Sequence, residues 1–198
     1  GLTYMNNLID DKALPLESYN LAIGLYGKDE DFFTLKGMVE ILLERLGIKD
    51  VRFVAESEYR VYHPGRCARI VTRDLNGEDA ELGIMGEIHP DVSENYGIGT
   101  RAYACELFFD LITELSDKEI QYRQLPKYPS TSRDMALLVD EDVQVGDMEA
   151  VIRSAGTEIL DSVKLFDVYR GQQVSEGKKS VAFSLTYRHD DRTLTDEE

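Results

Sequence analysis

Apolar and polar residues alternate along three stretches of the C-terminal part of the chain: 133–140, 163–170 and 180–188. Successive side chains of a strand point to opposite faces, so this period of two predicts three β-strands, each with one apolar side. Between the first two stretches, apolar residues recur at helical spacing, with Gly156 after them: Val145, Met148, Val151 and Ile152. The predicted order is strand, helix, strand, strand.

The N-terminal part combines one helical period with several strand-like runs. Five apolar residues predict a helix that Gly47 would cap at its C-terminus: Leu35, Met38, Val39, Leu42 and Leu46. Strands are predicted at five places: 21–26, 51–55, 68–72, 82–88 and 103–109. A short helix is predicted near Leu111, and Asn76-Gly77 is a strong β-hairpin signal between two of the strands. Together the two parts predict an α+β protein, with a mainly antiparallel sheet in the first.

A polar stretch at 116–123 and a proline-containing segment at 125–129 separate the two parts, because proline interrupts regular structure. We therefore predict one domain at 1–119 and a second at 120–198. Near the C-terminus, Thr195 followed by Glu198 forms a capping box, which predicts the start of a further helix. One helix and one strand more would complete a ferredoxin-like fold, so we expect an internal fragment that is truncated within its second domain.

The net charge of −16 disfavours a protein that binds nucleic acid nonspecifically, because such proteins usually present a basic surface. The 12 basic and 23 acidic residues up to Glu119 leave the second domain less acidic, so any nucleic acid is expected to bind there, and locally. Cys67 and Cys105 stand outside any CxxC pattern, which predicts reduced core thiols, a cytoplasmic protein and no metal site. No apolar run has the length of a membrane span.

The strand period divides the second domain's sheet into two faces. One is strongly apolar and is predicted to carry the helices: Met135, Leu137, Val139, Phe166, Val168, Val181, Phe183, Leu185 and Tyr187. The other, which we call the open face, is mostly small: Ala136, Asp167, Tyr169, Ser180, Ala182 and Ser184. A tyrosine there can stack with an unpaired base, and an aspartate can accept hydrogen bonds from a base edge. The alternative is that a neighbouring domain covers this face and Tyr169 is a packing residue.

Six basic residues lie on or near the ends of these strands, where they could contact phosphates: Lys164, Arg170, Lys178, Lys179, Arg188 and Arg192. The alternative for this set is a solvated rim that only keeps the domain soluble. Histidine chemistry is not expected. His63 and His89 each precede proline in a turn-like context, and His189 lies beside two aspartates at a strand end, so all three are interpreted as turn residues.

Several motifs together resemble the C-terminal part of the bacterial phenylalanyl-tRNA synthetase β chain. LFDVYRG at 165–171, EGKKS at 176–180 and RTLTDEE at 192–198 resemble its terminal anticodon-binding domain. YP at 128–129, followed by SRD at 132–134, resembles the opening of that domain. HPGR at 63–66 and GIMGEIHP at 83–90 resemble the β chain's catalytic-like module.

The resemblance implies a role within a larger enzyme. In that family two α and two β chains form a heterotetramer, and the α chain holds the site for ATP, phenylalanine and Mg²⁺. The β chain's catalytic-like module has the class II synthetase fold without the chemistry, and the terminal domain recognises the anticodon of phenylalanine tRNA. Asp167 and Tyr169 would contact the first anticodon base, with Ala136 and Ser180 at matching positions. The expected partners are therefore phenylalanine tRNA, the α chain and a second β chain.

The chain also departs from that pattern. The terminal helix and strand of the anticodon-binding domain are missing from the sequence, as are the editing and other upstream modules, and the catalytic-like module is partial. No phosphate-binding loop of the GxxxxGKS type and no counterpart of the class II ATP-binding arginine motifs is found. We therefore expect the isolated chain not to be an enzyme. Two functions remain open: anticodon recognition on a noncatalytic scaffold, or a purely structural module between the α and β chains.

Overall fold

Two compact units, Gly1–Ile120 and Gln121–Glu198, make up the chain in a computed structural model. The structure describes residues 1–5, 14–117, 125–171 and 173–195, with the Met5 side chain left out. The predicted capping box at 195–198 lies outside these residues, apart from Thr195. Among the described residues, no helix is both long enough and apolar enough to cross a membrane.

In its described residues, the first unit has a six-stranded antiparallel sheet and three helices. Its elements in chain order are β1 (Leu2–Met5), β2 (Leu16–Tyr26), α1 (Phe32–Arg45), β3 (Arg52–Ala55), β4 (Tyr62–Arg73), β5 (Asp79–Ile88), α2 (Pro90–Asn95), β6 (Ala102–Phe108) and α3 (Phe109–Leu115). The strand order is β1-β2-β6-β5-β4-β3. The predicted α1 and the predicted strands are confirmed; β1 and α2 were not predicted.

Local sequence explains where α1 begins and ends. The Asp31 carboxylate accepts a hydrogen bond from the Thr34 backbone N–H at 2.7 Å and so caps the first turn. At the other end Gly47 has φ of 74°, the left-handed conformation that glycine adopts without a Cβ penalty. One side of α1 is fully buried against β4, β5 and β6, through Leu35, Val39 and Leu43. Met38, predicted on that side, is 45% exposed.

The predicted hairpin joins β4 to β5. Gly77 at its turn has φ of 83°, and the Asp74 carboxylate accepts the backbone N–H groups of Asn76 and Glu78, both at 2.8 Å. These two bonds hold the turn and lower the pKa of Asp74, the bond from Glu78 having the larger effect. The asparagine–glycine signal is therefore confirmed, with the aspartate as an additional local determinant.

The second unit has the predicted order strand, helix, strand, strand. Its elements are β7 (Thr131–Asp140), α4 (Val145–Ala155), β8 (Leu160–Tyr169) and β9 (Lys178–Tyr187). The antiparallel sheet has the order β7-β9-β8, so β9 is central. Val181 and Phe183 of β9 are fully buried, and Met148 of α4 packs with them. Val151, predicted on the buried side of α4, is 65% exposed.

Candidate nucleic-acid interface

The four predicted base-contact residues lie on one face of the second unit's sheet. In the strand register, Ala136 pairs with Ala182, which pairs with Asp167. The adjacent row on the same face is Leu138, Ser180 and Tyr169. Residues directly opposite each other on neighbouring strands point the same way, so the six side chains form two parallel rows across three strands. Neighbouring strands are about 4.8 Å apart, and each row therefore spans about 10 Å, enough to accommodate a base.

A β-bulge at Phe166 sets which face Asp167 occupies. The register pairs Leu165 with Phe183 and then Asp167 with Ala182, so Phe166 is the extra residue. Strict alternation from the buried Val163 would have turned Asp167 towards the core. Phe166, predicted on the apolar face, is unpaired at the bulge, is 54% exposed and lies outside the buried cluster of the second unit.

Lys164, which precedes the bulge, lies on the open face together with Asp167. Lys164 pairs with Ser184, which pairs with Asp134 on its other side, in the row next to that of Asp167. Within the described part of the chain, its ammonium group has no partner. Lys164 is therefore placed to meet an anion about one row, or roughly 7 Å, from Asp167.

The other predicted phosphate contacts are placed less favourably. Ion pairs join Arg170 to Glu141 at 2.6 Å, Lys178 to Asp140 at 2.7 Å and Arg188 to Asp161 at 3.7 Å. Arg188 follows β9 eight residues after Ser180, or roughly 26 Å along the strand, and with Arg192 it lines a separate cavity. A phosphate bound there would belong to a different nucleotide.

Lys179, predicted as a phosphate contact, is buried. Its side chain lies on the helix-covered face, is 5% exposed and donates a hydrogen bond to the Glu141 backbone oxygen at 2.7 Å. Lys179 and Ser180 are neighbours on a strand, so they must point to opposite faces, and only Ser180 reaches the open face. Lys179 is therefore not available to a phosphate on that face.

Leu138 is a large residue on the open face that the site prediction left out. It is 58% exposed and lies in the same row as Tyr169, with the small Ser180 between them. Leu138 and Tyr169, which is 42% exposed, therefore flank Ser180 on the open face. The strand period alone places Leu138 on this face, so the signal was present in the sequence.

The histidines make local turn contacts, and the two cysteines are buried. The Nδ1 atoms of His63, His89 and His189 each accept the backbone N–H of the residue two positions later, at 3.0, 3.3 and 3.1 Å. Burial raises the pKa of Cys67 to about 11 and that of Cys105 to about 12, so both thiols stay protonated and unreactive at neutral pH. Among the described residues, no group of three or more His, Cys, Asp or Glu side chains could hold a metal ion.

Comparison with known families agrees with this geometry. Residues 126–198 match the model of the ferredoxin-fold anticodon binding domain, and residues 1–109 match that of the phenylalanyl tRNA synthetase beta chain CLM domain. The chain is 49% identical over 189 residues to the phenylalanine–tRNA ligase beta subunit of Clostridium tetani, and 45% identical over 189 residues to that of Clostridium acetobutylicum. Each alignment covers 96% of this chain and 23% of the relative. The corresponding Bacillus subtilis subunit is 42% identical over 171 residues, which are 86% of this chain and 20% of that subunit.

The second unit therefore belongs to the class of ferredoxin-fold anticodon-binding domains, and the open face lies within it. The match of residues 1–109 shows the family of the chain. The chain belongs to the phenylalanyl-tRNA synthetase β chain family, and it spans less than a quarter of the length of these relatives.

Proposed function

We propose that this chain is the anticodon-reading end of a phenylalanine–tRNA ligase β subunit, and that the open face binds the first anticodon base. The supporting observation is the pair of rows that brings Ala136, Asp167, Tyr169 and Ser180 together on an exposed sheet surface. Small residues in the rows leave room for a base, Tyr169 stacks with it, and the Asp167 carboxylate accepts its N–H donors.

The charge pattern favours a base over a phosphate at the centre of this face. A carboxylate offers only acceptors and repels phosphate, whereas a base edge carries N–H donors that it can bind. The Lys164 ammonium group lies one row away and has no partner among the described residues, so it supplies the adjacent phosphate contact. The net charge of −16 then restricts RNA binding to this local site.

The whole enzyme is part of the same proposal. The β subunit would assemble with an α chain and a second β chain in the cytoplasm, and the α chain would bind ATP, Mg²⁺ and phenylalanine. The first unit would act as a noncatalytic scaffold, and the isolated chain would not attach phenylalanine to tRNA.

The test is a titration of the phenylalanine tRNA anticodon stem-loop against the assembled α and β chains. We expect Tyr169→Ala to weaken binding by about 1–3 kcal/mol, the value of one stacking contact. Asp167→Asn should reduce discrimination among stem-loops that differ at the first anticodon base, because a base contact acts on one position only. The control is Tyr96→Ala, which removes a tyrosine that is 81% exposed in the first unit. Equal affinities for wild type and Tyr169→Ala would overturn the base-binding proposal.

A structural role at the subunit interface is the second candidate, and exposed apolar side chains of the first unit favour it. Leu14, Tyr26 and Phe33 are 87%, 74% and 72% exposed. Sedimentation of the α and β chains together would test this role. Under it, Phe33→Asp would weaken assembly while Tyr169→Ala would not; an unchanged assembly of Phe33→Asp would argue against Phe33 as an interface residue.

A further inference from the structure

Gly171, two residues beyond β8, has no backbone reason to be glycine. Its φ is not positive, and its carbonyl oxygen accepts the Val174 N–H at 2.9 Å. Gly177 contrasts with it: φ there is 78°, and a Cβ would meet nothing within 4 Å. The positive φ at 177 explains why glycine is favoured there. Gly171 does not have a positive φ, so its backbone conformation does not explain why it is glycine.

The explanation is space for the Tyr169 ring. A Cβ placed on Gly171 would lie 2.2 Å from the Tyr169 hydroxyl oxygen, 2.4 Å from Cζ and 3.0 Å from Cε1. The three nearest atoms all belong to that one side chain, and none belongs to the backbone. The phenol end of Tyr169 therefore occupies the volume that any other residue at 171 would fill.

In the described part of the chain, the ring lies against Gly171 without a hydrogen bond to fix it. Among the described residues, the Tyr169 hydroxyl has no hydrogen-bond partner. The ring sits at the end of β8 and at the edge of the open face, with 42% of the residue exposed. The ring is thus placed against the chain at residue 171. A ring that is already placed binds a base without an additional ordering cost.

We propose that Gly171 is a positioning residue for the base-stacking tyrosine: by lacking a Cβ, it allows the Tyr169 ring to lie back against the chain at the edge of the open face. The effect on RNA rests on the proposed function, whereas the ring placement does not. Gly171 contacts no base itself and acts only through Tyr169.

The first measurement follows the ring in the free 198-residue chain by NMR. We expect nuclear Overhauser contacts between the Tyr169 ring protons and the Gly171 α protons. In Gly171→Ala the ring must rotate away, so the Tyr169 ring resonances should shift. Gly146→Ala is the matched control, because a Cβ at 146 meets nothing within 4 Å. Missing contacts in the wild type, or unshifted Tyr169 resonances in Gly171→Ala, would overturn the proposal whatever the RNA does.

The second measurement is a double-mutant cycle for binding of the anticodon stem-loop to the assembled α and β chains. Gly171→Ala should weaken binding by roughly 5- to 150-fold, the range of one stacking contact, and by no more than Tyr169→Ala does. In the Tyr169→Ala background, Gly171→Ala should have no further effect. Two independent losses that multiply would show that Gly171 acts by another route and would overturn the positioning role.

The outcomes separate the two proposals. If the ring moves in Gly171→Ala but neither variant changes RNA affinity, the ring placement stands and the RNA role of Tyr169 is lost. If Gly171→Ala unfolds the second unit, the double variant Tyr169→Ala/Gly171→Ala decides the cause. Recovery of the fold would identify the clash with the ring as the reason, and a failure to recover would overturn the proposal.

Discussion

The two sheets of this protein bury their interiors in different ways. In the six-stranded sheet, fully buried side chains come from one helix and three strands: Leu35, Val39, Leu43, Ile70, Leu82, Met85 and Leu107. In the described part of the three-stranded sheet, only Val181 and Phe183 on the central strand reach that state. The larger unit spreads its core over several elements, whereas the smaller unit concentrates it on β9 and leaves one face of the sheet open. In the smaller unit, the strand that carries the core also carries Ser180 at the centre of the proposed site.

The largest expected effect is on the core of the smaller unit. Phe183→Ala should lower the free energy of unfolding by about 3–5 kcal/mol, because a fully buried phenylalanine is replaced by a cavity. Denaturant unfolding followed by circular dichroism would measure the loss.

The matched control for that variant is Phe166→Ala on the neighbouring strand. Phe166 sits at the bulge and is 54% exposed, so its removal should change the free energy of unfolding by much less. Equal losses for the two phenylalanines would show that the bulge register is wrong and that the core does not concentrate on β9.

A smaller effect is expected from a buried polar contact in the larger unit. The Thr72 side chain is 1% exposed and donates a hydrogen bond from its hydroxyl to the Lys49 backbone oxygen at 2.6 Å. Thr72→Val keeps the shape but removes the donor, which should lower the free energy of unfolding by about 1–3 kcal/mol. Thr113→Val is the control, since the Thr113 hydroxyl donates to the Phe109 oxygen at an exposed position. Thermal unfolding of both variants would test whether burial, and not the hydrogen bond alone, decides the loss.

The strands and the helix of the smaller unit could be predicted because apolar residues recur at strand or helix spacing through most of it. The bulge could not: Leu165 and Phe166 are both apolar, and a local pattern does not say which of two adjacent apolar residues is left unpaired. The prediction of Asp167 and Tyr169 on the open face is right because both follow the bulge and alternate correctly with Val168. Lys164 precedes the bulge, so its place on the same face depends on the register.

The ion-pair partners of the basic residues could not be predicted from the sequence either. The six basic residues near strand ends are equivalent in the sequence, but four of them have carboxylate or carbonyl partners far along the chain, such as Glu141 for both Arg170 and Lys179. The strand period does place Lys179 on the covered face, next to Ser180 on the open one. A lysine at this position suggests a phosphate contact. Its side chain points to the covered face, however, and cannot reach a phosphate on the open face.

A smaller effect is expected from Lys164, at one end of the open face. Lys164→Ala should make the slope of log affinity against log salt shallower by about 0.7 for the single-stranded anticodon loop, because one phosphate contact is lost. Lys178→Ala is the control at the other end of the same face, where Asp140 at 2.7 Å already neutralises the ammonium group. Salt titrations of stem-loop binding to the assembled enzyme would compare the two. A larger change for Lys178→Ala would contradict the assignment of Lys164 as the phosphate contact.

The smallest expected effect concerns how the two units begin their main helices. The Asp31 carboxylate caps α1, whereas α4 begins after Gln144 without a side-chain hydrogen bond. The hydrogen bond from the Thr34 backbone N–H lowers the pKa of Asp31 in the folded state, so its contribution to stability is present above the unfolded pKa and is lost as pH falls through the folded one. Asp31→Asn keeps an acceptor that does not titrate. We therefore expect the difference in thermal midpoint between wild type and Asp31→Asn to be constant from pH 6 to pH 5. Below about pH 4 the midpoint of the wild type should fall more than that of Asp31→Asn. Midpoints that run parallel down to pH 3 would show that the cap does not depend on the charge of Asp31, and that the two helices do not differ in their response to acid.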